Sequence, residues 1–354
     1  MKNSKIRVVN IFLPEIEYTQ SRNSNKVKHH VFDLYTNVFD NFSKVRVFPI
    51  KKYSNIFNAV FPHYREIKAE SVNVITQGYS VLSVFFAQII KKDIISIIHT
   101  WNVPGFSEER LTSKIYAFFL KSVINNALLI VVASKKQKKQ LEVAFPLAHS
   151  FFAPVTVDSN YWNPKNAKSE VLHRLDLNKN EYILTVGGND RNELAGIALA
   201  RELRMPYVRV SRSKPIISDL QLLKKTNNDV DIIILNAVDD ESLISLYNHS
   251  YLVLLATITK TNPAGLSALV EAMSSESFVV VSESLSEGYL KHLESGFTYN
   301  VFSACEIANH IINIDNIQKD RIRKNAREVA INDLNHEKIG RKLLECIVNL
   351  SKIN

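Results

Sequence analysis

Short runs rich in Val and Ile, scarcely interrupted by polar residues, recur along this chain at residues 6–12, 45–48, 72–75, 94–98 and 128–132. Runs of strand length that are apolar throughout, rather than alternating apolar and polar, belong to strands covered on both faces, and a parallel sheet supplies that environment. Between them lie helix-length stretches such as 27–41 and 107–123. Strands alternating with helices define the α/β class, in which each helix crosses back over a parallel sheet. The rhythm restarts at 182–186 and continues through 208–210, 232–235, 252–256 and 278–281, so the chain carries the pattern twice.

At 354 residues, 46% of them hydrophobic, the chain is long for one domain and comfortable for two. The polar and charged stretch 163–180 is the expected linker. This predicts one domain over 1–168, a second over 176–330, and a helical tail over 331–354. In that tail Ile339, Leu343, Leu344 and Ile347 form the stripe of a helix with one buried face.

A formal charge of +9 points to acidic partners without choosing among them. No zinc-finger spacing, RNP-like aromatic motif or long basic arm accompanies the charge, so nucleic acid is not an expected partner. The densest basic run, Lys135-Lys136-Gln137-Lys138-Lys139, reads either as a solvated helix face or as a membrane-surface patch. Cys305 and Cys346 are far apart and lack metal-ligand spacing, as reduced thiols of a cytoplasmic protein would be. The apolar blocks 81–98 and 116–132 are broken by Lys91-Lys92-Asp93, by Lys121 and by Asn125-Asn126, so neither is expected to span a bilayer. The basic N-terminus and its short apolar run lack a cleavage site and read as the first strand.

The stretch 262–282 carries the most chemistry. Leu266, Leu269, Val270 and Met273 fall at i, i+3, i+4 and i+7, one apolar helical stripe, and 278–281 is then a strand. Ser267 and Glu271, four apart, share the opposite face. The helix begins at Gly265 after a Pro-containing loop, so its first amides and positive dipole end can face an anion. Only nine glycines are present, well below the usual share of about 7%. Gly187, Gly188 and Gly265 are three of them, each at a strand-to-helix turn.

The run Gly265-Leu-Ser-Ala-Leu-Val-Glu-Ala-Met273, followed by Val279-Val-Val-Ser282, resembles the nucleotide-sugar signature of family-4-type retaining glycosyltransferases (G-x-S-x-x-x-E-A-M). The resemblance implies two Rossmann-like domains facing across a cleft, the GT-B architecture, with the acceptor in the first domain and the donor in the second. It implies that Ala264, Gly265, Leu266 and Ser267 cradle the donor diphosphate and that Glu271 holds the nucleotide ribose. Pro263 stands where many members have another glutamate, and Ser275-Glu276-Ser277 replaces the usual glycine.

Other segments are similar to the same family. Gly187-Gly188-Asn189-Asp190-Arg191 resembles a G-G-x-x-R-D turn whose arginine grips the diphosphate, with Asn192 in place of aspartate. A guanidinium suits that task because its fork of donors matches phosphate oxygens. Lys260 is the candidate second phosphate cation, the lysine expected soon after the arginine being absent; a solvated loop lysine is the alternative. His99, directly after an apolar strand, matches the family's histidine facing the donor, with Thr100, Trp101 and Asn102 shaping the acceptor side. The loop 101–109 is expected to close over substrate. Residues 236–247 resemble the segment whose start lies near the base, and the tail is expected to return to the first domain.

The resemblance therefore implies a transferase with His99, Arg191 and Glu271 as catalytic residues and no cofactor; no D-x-D-type metal site stands at a strand end, Asp239-Asp240 beginning a helix instead, so metal independence is expected. The substrates would be a nucleoside diphosphate sugar and a glycan or lipid-linked acceptor. The abundance of Lys, Ile and Asn fits an AT-rich bacterial genome. With the basic first half, this favours lipopolysaccharide, capsule or other surface polysaccharide synthesis by a cytoplasmic protein peripheral to the inner face of an anionic membrane. The alternatives are a catalytically inactive nucleotide-sugar-binding subunit and a nucleotide-sugar epimerase.

Overall fold

The computed structural model describes residues 8–14, 44–50, 71–75, 85, 88–89, 95–100, 111–188, 190–236, 238–258 and 265–353. Its apolar runs form twelve strands among the described residues, all paired in parallel and divided between two six-stranded sheets. The chain divides into two units: Met1–Pro154 together with His336–Asn354, and Val155–Asn335.

The first sheet has the order β2-β1-β3-β4-β5-β6. Its strands are β1 (Val8–Pro14), β2 (Lys44–Ile50), β3 (Ser71–Ile75), β4 (Ile95–Thr100), β5 (Leu129–Val132) and β6 (Ser150–Phe152). Helices α1 (Leu111–Asn125) and α2 (Lys135–Ala144) flank β5 in the chain. Alternate residues of β5 face opposite cores, as strand geometry requires. Ile130 and Val132 pack with Leu120, Val123, Ile124 and Leu141 from these helices. Leu129 and Val131 pack with Ile339, Leu343 and Ile347, one stripe of the last helix (His336–Ile353). The expected helix over 27–41 lies outside the described residues.

The second sheet has the order β12-β11-β10-β7-β8-β9. Its strands are β7 (Ile183–Val186), β8 (Tyr207–Val210), β9 (Ile232–Leu235), β10 (Leu252–Leu255), β11 (Val279–Ser282) and β12 (Phe297–Tyr299). Counted from its own first strand this is the order 3-2-1-4-5-6, the doubly wound arrangement whose order reverses between its first and fourth strands, here β7 and β10. Its helices, continuing the numbering, are α3 (Glu170–Arg174), α4 (Glu193–Leu203), α5 (Lys214–Thr226), α6 (Asp240–His249), α7 (Leu266–Ser274), α8 (Glu283–Ser286), α9 (Ala304–Ile312) and α10 (Asn316–Asn332); the last helix of the chain, in the first unit, is α11.

The passage between units falls at Pro154–Val155, before the expected linker. Residues 163–180 are bound to the second unit instead. Pro164–Asn166 form a 3-10 turn, the Lys168 amide donates to Ser245 Oγ at 2.7 Å, and Val171 and Leu172 are buried. A polar composition does not make a linker when its few apolar residues find a core.

Candidate functional site

In a doubly wound sheet, the loops leaving the two strands that flank the reversal diverge to opposite faces, and the crevice between them is where ligands bind. In the second unit these are the loops after β7 and β10. They are stitched together: Arg191 and Thr257 form an antiparallel bridge, the Asn192 amide donates to Ala256 O at 2.9 Å, and the Ile258 amide donates to Asp190 O at 3.3 Å.

Each loop brings a glycine whose backbone excludes other residues. Gly187 leaves β7 with φ +124° and Gly265 caps α7 with φ +108°, both in the left-handed region. One side chain lies against both. A Cβ on Gly187 would come within 2.6 Å of Arg191 Nη2, and a Cβ on Gly265 within 2.9 Å of the same atom. The buried guanidinium of Arg191 thus packs on two glycines 78 positions apart, with Nε donating to Val186 O at 3.1 Å. Burial, and then the Arg209 cation, lower its proton affinity; an arginine nonetheless keeps its charge.

Gly265 gives α7 no side-chain cap, and the helix starts beside this guanidinium. A cation beside the positive end of a helix is unfavourable by itself and complementary to a bound anion. The rest of α7 explains why the helix is fixed there. Leu266, Ala268, Leu269, Val270, Ala272 and Met273 are all buried, a wider apolar surface than the single expected stripe, and Ser267 alone in that run is exposed. Leu266 faces the core, which confines any ligand contact of this residue to its backbone amide.

Glu271 lies half-buried on α7, where its Oε2 accepts from the buried Tyr247 hydroxyl at 3.1 Å. Burial pushes the Glu271 carboxyl up to about 8; the Tyr247 bond opposes this, the Asp240 carboxylate adds to it and the Arg212 cation offsets part. Tyr161 donates to Asp240 Oδ2 at 2.7 Å, and Trp162 meets the Tyr247 ring edge-on at 6.1 Å. The segment that follows the passage between the units is therefore packed on the partners of Glu271.

Gly187, Gly188, Arg191, Gly265, Ser267 and Glu271 belong to the carboxyl edge of one sheet, with the Gly187 and Gly265 backbones brought together by Arg191. Asn189, Lys260, Ala264, Trp101 and Asn102 lie outside the described residues. His99 and Thr100 end β4 in the first unit, paired in register with Val131 and Val132. Lys135–Ala144 is helix α2, capped by Ser134 Oγ accepting from the Gln137 amide at 3.1 Å, and Lys138 pairs with Glu142 at 3.3 Å. Asp239-Asp240 opens α6: the Asp239 carboxylate caps it, accepting from the Ser242 amide at 2.7 Å, which pulls this carboxyl below its usual value.

The sequence singles out none of Arg209, Glu193, Tyr247 and Tyr161 as site residues. The signal for Arg209 was present: a charged residue inside a four-residue strand that is buried throughout, Tyr207–Val210. Among the described residues no group of three or more His, Cys, Asp or Glu is placed to hold a metal ion. Among the same residues no helix is long and apolar enough to cross a membrane.

The fold is that of the GT-B glycosyltransferases, with two Rossmann-like units. No protein-family model matches the chain, and no curated protein matches it. Among solved structures the chain is similar to a glycosyltransferase from Rickettsia africae ESF-5, with a TM-score of 0.70 at 14% identity, covering 98% of this chain and 99% of that one. It is similar to Anabaena Alr3699/HepE in complex with UDP-glucose, with a TM-score of 0.69 at 15% identity, covering 97% and 99%. Trehalose-6-phosphate synthase OtsA gives a TM-score of 0.68 at 9% identity, covering 96% and 98%. At such identities the likeness is one of fold.

Proposed function

We propose that this chain is a retaining glycosyltransferase of family-4 type that moves a sugar from a nucleoside diphosphate sugar to an acceptor hydroxyl without a metal ion. The observation that carries the reading is the Arg191 guanidinium between Gly187 and Gly265, at the start of α7 and at the reversal of the strand order. In this reading the leaving diphosphate develops negative charge at that point, and a preorganised cation beside the helix start stabilises it as it forms. Glu271, further along α7, accepts hydrogen bonds from the ribose hydroxyls in its ionised form. Asn189, Lys260, Ala264 and Ser267 complete the donor contacts. His99 is the catalytic residue of the first unit in this reading, and Thr100, Trp101 and Asn102 serve the acceptor.

UDP-glucose is the first donor to test, because the HepE structure contains it. The acceptor proposed is a glycan or lipid-linked precursor of lipopolysaccharide, capsule or another surface polysaccharide. The protein would then be cytoplasmic and peripheral to the inner face of an anionic membrane, with the basic start of α2 as a contact. The test is a thermal-shift screen of UDP-, GDP-, ADP- and TDP-sugars in EDTA, followed by calorimetry and a transfer assay on the sugar that binds. Saturable binding that Arg191→Ala abolishes supports the reading. Absence of binding by every nucleotide sugar overturns it, and binding without transfer or hydrolysis reduces it to a binding subunit.

A further inference from the structure

The second buried arginine of this unit has a different task from the first. Arg209 is fully buried within β8. Its Nε donates to both carboxylate oxygens of Glu193 at 2.9 Å. Its Nη1 donates to Gly187 O at 2.8 Å and to Val210 O at 2.5 Å, and its Nη2 donates to Gly188 O at 3.2 Å. One guanidinium therefore holds the carbonyls of both glycines in the turn after β7. Glu193 is in turn fixed by the Tyr207 hydroxyl at 2.9 Å, and the Tyr207 ring fills the space where a Cβ on Gly196 would come within 2.5 Å.

A glycine pair has no side chain with which to anchor itself and has the widest choice of backbone conformations, so something outside the turn must select one. In a trans peptide the carbonyl and the following N–H point in opposite directions. Holding the Gly187 carbonyl against Arg209 therefore aims the Gly188 N–H away from Arg209. The same clamp fixes the Gly187 backbone on which the Arg191 guanidinium rests. Stability alone is a poor reason for such an arrangement, because buried ion pairs are often replaced by apolar residues of similar volume at no loss.

We propose that Arg209, with Glu193 as its counter-charge, is a positioning residue: it presets the Gly187-Gly188 turn and the adjoining Arg191 for the diphosphate of a nucleoside diphosphate. The ligand half of this proposal rests on the donor reading above; the clamp itself does not.

The test uses the full chain with Arg209→Met and Glu193→Leu together, because either change alone strands a buried charge. Arg209→Lys is the second variant, keeping a charge beside Glu193 without a fork that spans two carbonyls. The expected result is a folded protein in which amides of residues 186–191 exchange with solvent about tenfold faster while those of β8 and β10 are unchanged. UDP, GDP, ADP and TDP are titrated against wild type and variants. The diphosphate that binds wild type should lose about tenfold in affinity, and the matching monophosphate distinctly less, since a misplaced turn costs most where most contacts are made. Unchanged exchange in both variants overturns the clamp whether or not a nucleotide binds. Raised exchange with unchanged diphosphate affinity overturns the positioning role. If no diphosphate binds wild type, the donor reading and the ligand half fall together, and exchange still decides the clamp.

Discussion

Two buried charged clusters at the carboxyl edge of the second sheet are built on opposite principles. Around Gly187 the charge is permanent: Arg209 is met by the Glu193 carboxylate and three backbone carbonyls, and Arg191 lies on the glycine backbone of two loops. Around Glu271 the charge is conditional. Its carboxyl accepts from the neutral Tyr247 hydroxyl, and burial holds the proton up to about 8. A diphosphate never loses its charge near neutral pH and suits the first cluster; hydroxyls that need an acceptor suit the second once it ionises. If both clusters serve the proposed donor site, they should respond differently to pH and to mutation.

The largest effect should come from the permanent side. Arg191→Ala is expected to lower kcat/KM for the donor by about 10²- to 10³-fold, as the loss of a preorganised charge-stabilising group does. Circular dichroism should stay native; unchanged turnover would end the role of Arg191. On the conditional side, Glu271→Ala should weaken donor binding by about 1–3 kcal/mol, the range for a hydrogen bond to a charged group. Calorimetry that finds equal affinity removes Glu271 from the site.

The pH response separates the clusters most directly. The Glu271 carboxyl binds its proton to about 8 in the folded chain and to about 4.5 when exposed, so between these values the folded state holds the extra proton. Its contribution to stability therefore declines as pH rises from 4.5 to 8 and is level beyond, a loss on the order of 1–3 kcal/mol after allowance for its remaining solvent contact. Glu271→Gln should flatten that part of the curve in urea titrations. Donor affinity should move the other way, rising toward pH 8 as the carboxylate forms. An identical slope in the glutamine variant would show that another group titrates.

Smaller effects sharpen the contrast. Gly265→Ala places a Cβ within 2.9 Å of Arg191 at φ +108°, and should cost about 1 kcal/mol in stability and about tenfold in donor affinity. Wild-type values for both would show that the guanidinium moves aside freely. Tyr161→Phe removes the hydroxyl bound to Asp240 and should cost only about 0.5–1.5 kcal/mol by denaturation, with the pH profile of Glu271 little altered.

Much of the fold could be read from the chain because buried parallel strands leave a direct trace. The runs at 72–75, 128–132 and 278–281 lie at or within a residue of β3, β5 and β11. The stripe Leu266, Leu269, Val270 and Met273 is buried in α7. Gly187, Arg191 and Gly265 were singled out one by one, but nothing local said that they touch. The stretch 163–180 reads as a linker because it is polar in composition, yet it belongs to the second unit, where the Lys168 amide is bound by the Ser245 hydroxyl. Arg209 was overlooked because its meaning depends on Glu193 and on two carbonyls from another strand's exit.

The order of residues alone determined which segments are strands, which are helices and where helix α7 opens, since hydrophobic period and glycine's freedom act over a few neighbours. Tertiary structure decided that one guanidinium serves two distant glycines, that a strand arginine holds a turn, and that a helix glutamate keeps its proton. Those properties come from burial and from contacts between segments far apart in the chain, and only the assembled sheet brings them within hydrogen-bonding distance.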